Sequence, residues 1–370
     1  AAIEAAPPAD QVPMNDDLVE AVDPRDEYVA EAIKLASGNE AARADLRIVL
    51  TAMHGVGASL TARVLAKAGF TNVSLVAAQA EPDPDFPTVP FPNPEETGAL
   101  DMAIEQARAE GADLIIAVDP DADRCALAVP DPGAEAGWSP LSGDQIGCLL
   151  GEFLAARGLE GSLANSIVSS RLLARIAEAH GLVHHTTLTG FKWIARAPKL
   201  AFGYEEAIGF CPNPEIARDK DGIASSVVAA SLFAALKVEG RTAWDELDRL
   251  ARAHGLHVTG PLTFRVEEIE QIAAGMARLR AQPPSVLAGS PVVEVSDLSE
   301  GYRGLPPTDG VLVLTEAGDR VIARPSGTEP KLKCYLEVIL PAPEGEPVPW
   351  EAARERLELI KSEFGRIIGL

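Results

Sequence analysis

The sequence predicts an α/β protein: two similar α/β domains with mixed, mostly parallel sheets, followed by a smaller α+β domain with an antiparallel sheet. Up to about residue 255, short apolar runs alternate with helix-length segments, which is typical of parallel strands joined by helices. From about residue 256 the strand patterns alternate polar and apolar residues, as strands with one solvated face do. The predicted units are a connector over 1–26 and domains over 27–137, 138–255 and 256–370.

Proline and glycine positions and apolar runs define the first predicted elements. Prolines among acidic residues before residue 26 predict an extended connector. A strand over 46–50 ends in a loop that contains Gly55 and Gly57, and a helix over 59–68 follows, so this segment is one α/β unit. His54 in the loop is interpreted as a structural histidine, with a ligand-facing role as the alternative. The other elements predicted here are helices over 26–37 and 98–110 and strands over 73–76, 113–118 and 125–129.

The second domain repeats this alternation, and the third departs from it. Asp221 is predicted to cap a long helix that begins at Gly222, because its carboxylate can accept from the free backbone amides of a first helical turn. In the second domain we also predict helices over 142–157 and 172–179 and strands over 167–168 and 182–183. In the third domain we predict strands over 262–266, 292–295, 311–314, 320–323 and 332–339 and helices over 267–280 and 350–367.

The most informative stretch is an acidic loop that follows a short apolar strand. Asp119, Asp121 and Asp123 alternate on this loop, and Pro120 prevents the strand from continuing. Clustered carboxylates repel one another unless a cation lies between them, and all-oxygen ligands favour Mg²⁺. Arg124 follows with a planar guanidinium suited to a phosphate. A metal beside a phosphate-binding arginine indicates phosphoryl transfer.

Two alternatives are open for this loop. It is consistent with an ordinary acidic, solvated turn at the end of a strand. A haloacid-dehalogenase-type phosphatase also has a nucleophilic aspartate after an apolar strand, but that family expects Thr or Val after its second aspartate. The order here is Asp121, Ala122, Asp123. The loop is therefore interpreted as a metal clamp and not as a nucleophile.

Composition limits the function classes. The chain has 370 residues, 47% of them hydrophobic and 24% charged, as is typical of a globular protein. Its net charge of -23 disfavours nucleic acid and anionic membranes as partners, and it requires a local basic cluster wherever a phosphate binds. No apolar run reaches the ~20 residues of a membrane span. The scattered cysteines predict buried thiols in a reducing compartment, and we expect a cytoplasmic location.

A carboxylate pair in the second domain suggests sugar binding. Glu205 and Glu206 lie between Gly203 and Gly209, after a short apolar run. Two carboxylates held in a fixed geometry can accept from two sugar hydroxyls. An exposed acidic turn is the alternative for this stretch.

A polar loop in the third domain suggests phosphate binding. It combines the guanidinium of Arg324, the hydroxyls of Ser326 and Thr328, the accessible backbone of Gly327 and the ammonium of Lys331. Cationic side chains beside exposed backbone amides form a phosphate cradle. The alternative is an ordinary polar hairpin.

Together the three loops resemble those of the α-D-phosphohexomutase family, the phosphoglucomutases and phosphomannomutases. That family has a D-x-D-x-D-R metal loop in the second of its four domains, a G-E-E-type sugar loop in the third and an R-x-S-G-T-E-P phosphate loop in the fourth. The similar segments here are 119–124, 203–209 and 324–330. Residues 189–193 are similar to the T-G-F-K segment of the family, which implies that Lys192 contacts a phosphate or the substrate.

The resemblance implies a reaction and a set of roles. In the family a phosphoserine gives its phosphoryl group to a sugar monophosphate, and the bisphosphate then turns over and returns its other phosphoryl group. By resemblance, Arg124 lies at the transferring group. The implied Mg²⁺ ligands are Asp119, Asp121 and Asp123, and the implied substrate-binding residues are Glu205, Glu206, Arg324, Ser326, Gly327, Thr328 and Lys331. The implied partners are a sugar phosphate and a sugar bisphosphate.

Two departures from the family pattern bear on function. Ala207 stands where the family often has Ser, which leaves a pentose phosphate open as substrate. The T-A-S-H-N-P phosphoserine loop is absent, and Met53 in the similar segment cannot carry a phosphoryl group. We therefore expect that the chain begins after the first domain of the family and has little mutase activity alone. A catalytically incomplete sugar-phosphate binding module and a metal-dependent phosphatase are the rival hypotheses.

Overall fold

A computed structural model of the chain describes residues 5–326 and 330–369. In this part of the chain, the strands form two mixed sheets and a third sheet that is antiparallel. The predicted fold class is confirmed. Residues 5–27 are exposed and precede the first sheet.

The first sheet has the strand order β2-β1-β3-β4-β5. Strand β1 pairs in parallel with β2 and β3, and β4 then pairs antiparallel with β3 and with β5. The strands are β1 (Arg47–Thr51), β2 (Asn72–Leu75), β3 (Leu114–Val118), β4 (Cys125–Pro130) and β5 (Trp138–Pro140). The helices are α1 (Arg25–Ala32), α2 (Glu40–Asp45), α3 (Ala58–Lys67) and α4 (Asp101–Glu110). Strand β5 lies beyond the predicted domain boundary at residue 137 and still belongs to this sheet, and the boundary stays a prediction.

The second sheet repeats the first in its order, β7-β6-β8-β9. Its central strand β6 pairs in parallel with β7 and β8, and β9 closes the edge antiparallel to β8. The strands are β6 (Ser162–Ser166), β7 (Val183–Thr187), β8 (Leu200–Glu205) and β9 (Gly209–Cys211), and the helices of this part are α5 (Gly143–Ala155), α6 (Leu172–Ala179), α7 (Phe191–Ile194), α8 (Gly222–Val238) and α9 (Ala243–His254). Strand β6 therefore corresponds to β1, and the β8–β9 hairpin corresponds to the β3–β4 hairpin.

The third sheet has the order β10-β15-β14-β13-β12-β11. Helices α10 and α11 pack on one of its faces, against the long strand β15. The strands are β10 (Leu256–Arg265), β11 (Val286–Leu287), β12 (Ser290–Asp297), β13 (Val311–Thr315), β14 (Arg320–Pro325) and β15 (Lys331–Leu340), and the helices are α10 (Ile269–Ala281) and α11 (Trp350–Ile368).

One helix joins the first two sheets into a single apolar core. Helix α8 is apolar nearly all round and packs against both β3 and β9, as expected of a helix without a solvent face. It begins where predicted, because the Asp221 carboxylate accepts from the backbone N–H of Ala224 at 2.8 Å. The acidic loop (119–124) and the sugar loop (203–209) are consequently parts of one packed body.

One predicted strand is wrong. The apolar pair Ile167 and Val168 lies in a turn, and the strand is the preceding segment Ser162–Ser166. Both side chains pack against the third sheet, on Leu312 and Ile322. Helix α9 was not predicted, although its Thr242–Asp245 capping box is a recognisable signal.

Among the described residues, no single helix is long and apolar enough to cross a membrane. The bent pair α8 and α9 passes a test of length and composition only, and α8 is largely buried in the core just described. The cytoplasmic location stays a prediction.

Candidate active site

The three aspartates of the acidic loop lie together at the turn between β3 and β4. Each of Asp119, Asp121 and Asp123 offers a carboxylate oxygen, and these oxygens lie within 4.8 Å of one another. The loop is held in shape by the backbone N–H of Arg124, which donates to Asp119 Oδ1 at 2.9 Å, and by Ala122, which has a left-handed φ of 60°. Three oxygen ligands at this spacing can surround one small cation.

The charge state of Asp119 supports this interpretation. Burial, together with the neighbouring charges of Asp121 and Asp123, raises the pKa of the Asp119 carboxyl to about 7. A cation would lower that pKa by favouring the charged form. A hard oxygen donor set with a destabilised carboxylate fits Mg²⁺.

Lys220 is a site residue that the sequence did not reveal. Its ammonium forms an ion pair with Asp123 at 2.9 Å and lies 5.6 Å from the centre of the Phe191 ring. Burial opposes its charge, but the hydrogen bond to Asp123 and the negative charges of Asp123, Asp219 and Glu205 together outweigh this and raise the pKa of Lys220. Because Lys220 directly precedes the helix cap Asp221, its position at the site follows from the start of α8.

Two glycines allow other segments to approach the acidic loop. A Cβ on Gly55 would lie 2.3 Å from Pro120 Cα, and the next residue, Val56, donates its N–H to the Pro120 carbonyl at 2.9 Å. A Cβ on Gly222 would lie 2.3 Å from the Arg124 carbonyl oxygen. Side chains at either position would displace the loop.

The sugar loop lies beside the acidic loop. It forms the β8–β9 turn, and its Ile208 carbonyl accepts from the Cys125 N–H at 3.0 Å, at the end of the acidic loop. Glu205 is buried, and burial together with the charge of Glu206 raises the pKa of Glu205 to about 7. The two carboxylate-bearing hairpins therefore converge on one edge of the α/β body.

The third sheet completes a cleft. A cavity of about 350 Å³ lies between Glu206 of the sugar loop and the basic residues Lys331, Lys333 and Arg265 of β15 and β10. Strand register places these three cations on one face of the sheet. Arg265 is directly opposite Lys331, and Lys333 lies two residues after Lys331, so its side chain points to the same face. Glu95, from the loop before α4, also lines the cavity.

The phosphate loop flanks the same face of the sheet. Arg324 is the cross-strand neighbour of Lys333, and the Ser326 N–H donates to the Lys331 carbonyl at 2.8 Å, which closes the loop. Gly327 and Thr328 lie outside the described residues. A basic group of this kind is the local cluster that a chain of net charge -23 needs to attract a phosphate.

Three family models match successive parts of the chain. Residues 26–133 match the model of phosphoglucomutase/phosphomannomutase, alpha/beta/alpha domain II, residues 142–253 match that of alpha/beta/alpha domain III, and residues 235–346 match that of the C-terminal domain. The chain belongs to the phosphoglucomutase/phosphomannomutase family.

Two curated proteins are similar in sequence to most of this family member. A Haemophilus influenzae protein named "Probable phosphomannomutase" is 44% identical over 328 residues, which is 88% of this chain and 65% of the relative. A Schizosaccharomyces pombe protein named "Probable phosphoribomutase" is 33% identical over 324 residues, 79% of this chain and 54% of the relative. The chain thus spans between half and two thirds of the length of these curated relatives.

A solved structure shows the shared fold. The Paramecium phosphoprotein pp63/parafusin, a phosphoglucomutase in an open form, superposes with a TM-score of 0.69. The alignment covers 95% of this chain and 64% of the Paramecium chain at 18% identity.

Lys192 and His54, two further residues considered in the sequence, are not among the residues that line this cavity. Lys192 is exposed on the short helix α7, next to Phe191, whose ring lies near Lys220. His54 is buried and its Nε2 is 2.8 Å from Thr88 Oγ1, which agrees with a structural histidine. The functional roles assigned to the site residues by resemblance stay predictions.

Proposed function

We propose that the cleft binds a sugar phosphate and takes part in moving a phosphoryl group between the 1- and 6-positions of a hexose, glucose or mannose. The single observation that carries this proposal is the cavity where the sugar loop of the α/β body faces a basic sheet, with the acidic loop hydrogen-bonded to the same sugar loop through Cys125 and Ile208. Phosphoryl transfer needs positioning and charge stabilisation more than covalent help, and such a cleft offers both.

The cation-binding group is Asp119, Asp121 and Asp123, and bound Mg²⁺ would supply positive charge against the transferring phosphoryl group. Arg124 supports this part of the proposal, because its Nε is buried without a hydrogen-bond partner among the described residues. A phosphate oxygen is a suitable acceptor for it.

The sugar and its second phosphate bind across the cleft in this proposal. Glu205 and Glu206 accept from sugar hydroxyls, while Lys331, with Arg324 and Ser326 beside it, holds the phosphate that is not transferred. In the forward step the bond from phosphorus to a serine oxygen breaks as a bond from phosphorus to a sugar hydroxyl oxygen forms, and the proton of that hydroxyl ends on the released serine oxygen. Met53 cannot act as that serine, so we place the phosphoserine on polypeptide outside these 370 residues.

Calorimetry of the 370-residue chain with glucose 1,6-bisphosphate and Mg²⁺ tests the proposal. We expect one binding site, lost or weakened at least tenfold in Arg324→Ala, with Mg²⁺ binding weakened similarly in Asp121→Asn. Asp16→Asn, an exposed aspartate before the first sheet, is the control and should change neither. A wild-type chain that binds no sugar bisphosphate contradicts the proposal, and release of free phosphate from a sugar monophosphate would favour a phosphatase.

A pentose phosphate is the second candidate substrate. Ala207 lines the cavity and brings no hydroxyl to the sugar, and one relative is named a phosphoribomutase. If the site is built for a pentose, ribose 1,5-bisphosphate will bind more tightly than glucose 1,6-bisphosphate in the same calorimetric measurement.

A further inference from the structure

The carboxylate of Glu206 is held by two serines of one segment, residues 166–170, which begins at the end of β6 and is called the serine loop below. Ser166 Oγ is 3.1 Å and Ser169 Oγ is 3.0 Å from the same oxygen, Glu206 Oε2, and the two hydroxyls are 2.9 Å apart. Both serines are buried. Two hydroxyl protons serve these three contacts, so at any moment at least one serine donates to Glu206.

This arrangement leaves the other carboxylate oxygen for a ligand. Among the described residues no hydrogen bond reaches Glu206 Oε1, and Glu206 lines the cavity. A carboxylate that is fixed through one oxygen cannot rotate freely about its terminal bond, so the second oxygen has a defined direction. A fixed acceptor loses less entropy when it binds a hydroxyl.

The loop that carries the serines is fixed in turn by the third sheet. The buried guanidinium of Arg320 donates to the carbonyls of Ile167, Val168 and Ser169 at 2.9, 3.3 and 2.6 Å. Glu337, also buried, accepts from Ser170 Oγ at 2.9 Å. Strands β14 and β15 thus hold the serine loop through Arg320 and Glu337, and β15 also carries Lys331.

The equivalent loop of the first repeat also supports a hairpin that carries carboxylates. The serine loop begins at the end of β6, and the loop with Gly55 follows the corresponding strand β1. Each of these loops supports the carboxylate hairpin beside it: the first through hydrogen bonds to Glu206, the second through backbone contact with Pro120. The second repeat uses side chains where the first uses backbone, so its support can be removed by point substitution.

We propose that Ser166 and Ser169 are positioning residues for the sugar site, which orient Glu206 and link its position to the sheet that carries the phosphate-binding cations. This inference rests on the proposed function and adds a specificity role to it. The serines act on recognition of the sugar ring and not on the phosphate, because Glu206 is the one predicted substrate ligand that they contact within residues 5–326 and 330–369.

The test compares Ser166→Ala/Ser169→Ala with wild type in calorimetry with two probes, glucose 1,6-bisphosphate and inorganic pyrophosphate. We expect about tenfold weaker binding of the sugar bisphosphate, the loss typical of hydrogen bonds to a charged group, and unchanged binding of pyrophosphate. Ser162→Ala is the matched control, since Ser162 is a buried serine of the same strand whose Oγ donates to the Pro198 carbonyl. Ser169→Thr retains a hydroxyl and should keep near wild-type affinity.

A double-mutant cycle separates positioning from a general loss of structure. In a Glu206→Ala background the serine substitutions should have no further effect on sugar bisphosphate binding, because they act through Glu206. Equal affinity of the serine variant and wild type overturns the inference, as does an equal loss for both probes or an additive loss in the Glu206→Ala background. A wild-type chain that binds no sugar bisphosphate overturns the proposed function, and the inference with it.

Discussion

Lys220 is the residue that sets the charge of the acidic loop. It lies on a different segment from the three carboxylates, and together with the Arg124 guanidinium, whose Nε is 3.9 Å from Asp123 Oδ1, it offsets their negative charge. An ammonium group and a metal ion compete for the same carboxylate oxygens, because both bind through electrostatic attraction. Lys220 therefore stabilises the acidic loop when no cation is bound, and it opposes the binding of a cation to the same carboxylates.

Replacing Lys220 with Met should tighten Mg²⁺ binding by roughly three- to tenfold, because the competing cation is removed from Asp123 while the apolar contact with Phe191 is retained. Titration of the chain with MgCl₂ by calorimetry measures this. Lys237→Met is the control: Lys237 also bridges two aspartates, Asp45 and Asp113, each at 2.8 Å, but at another place in the fold. Weaker or unchanged Mg²⁺ affinity in the Lys220 variant would contradict this account.

At the scale of residues, the sequence predicts those functional groups whose members are close together in the chain. The three aspartates alternate within five residues, so their juxtaposition is a local property of one turn. Lys220 and the serine pair around Glu206 are contacts between distant segments, and no pattern in the sequence marks them. Only the packing of α8 and of the β6 loop brings them to the site.

At the scale of elements, the site is built from two equivalent hairpins and the loops that support them. Strained backbone gathers there: Met53, His54, Ala122 and Ile208 all have left-handed φ values, between 47° and 65°. Such conformations cost about 1 kcal/mol or more each and persist where the surrounding structure determines them. The surrounding segments therefore help to hold the turns of both hairpins, at Ala122 and Ile208, in these conformations.

The Gly55 loop provides a test of that dependence. Gly55→Ala should destabilise the chain by about 1 to 3 kcal/mol and weaken Mg²⁺ binding, because its Cβ would overlap the backbone of Pro120 and displace the aspartate loop. Urea unfolding and MgCl₂ titration report the two effects.

The control for Gly55→Ala is Gly365→Ala in helix α11, where a Cβ would lie 3.8 Å from Phe264 in ordinary contact. That substitution should stabilise the protein by up to about 1 kcal/mol, because alanine favours a helix interior. If the Gly55 variant is as stable as wild type and binds Mg²⁺ equally well, the close approach is not a constraint.

The misplaced strand shows where prediction of elements fails. Strand β6 is fully buried, yet all its residues except Leu163 are small or polar, and Asn165 is satisfied by bonds to Ser170 and His184. A rule that assigns strands to apolar runs selects Ile167 and Val168, whose apolar character serves contact with another sheet. Central strands with apolar sequences, such as β3, were placed correctly for the same reason.

At the scale of the whole molecule, the third sheet is attached to the α/β body by buried charge. Glu337 is fully buried and accepts from Arg171 Nε at 2.5 Å and from His257 Nδ1 at 2.9 Å, with Arg320 at 3.3 Å. Burial opposes its ionisation, but Arg320, His257 and Arg171 outweigh this and hold the pKa of Glu337 well below its usual range. A network of this kind stabilises only while every member is present.

Glu337→Gln should lower the free energy of unfolding by about 3 kcal/mol or more, because it leaves two guanidinium groups near each other without a counter-charge. Since the pKa of Glu337 is lowered in the folded state, its contribution is present above the usual glutamate range and is lost as the pH falls below about 4.5. Chemical unfolding at pH 7 and pH 4 should therefore show a smaller difference between variant and wild type at the lower pH.

The control at this scale is Glu294→Gln, which removes an ion pair with the largely exposed Arg303. It should cost less than about 1 kcal/mol. Equal costs for the two substitutions would indicate that the buried network does not hold the sheet in place.

Because all four thiols are buried, their alkylation measures local opening of the protein. Cys125, Cys148, Cys211 and Cys334 are free and buried, and burial raises the pKa of each thiol, to about 12 for Cys125, Cys211 and Cys334 and well above its usual value for Cys148. Thiolate is the species that iodoacetamide attacks, so alkylation has to wait until a segment detaches. Because Cys334 lies in β15 and the others lie in the α/β body, the order in which they are labelled identifies which part of the protein comes loose first.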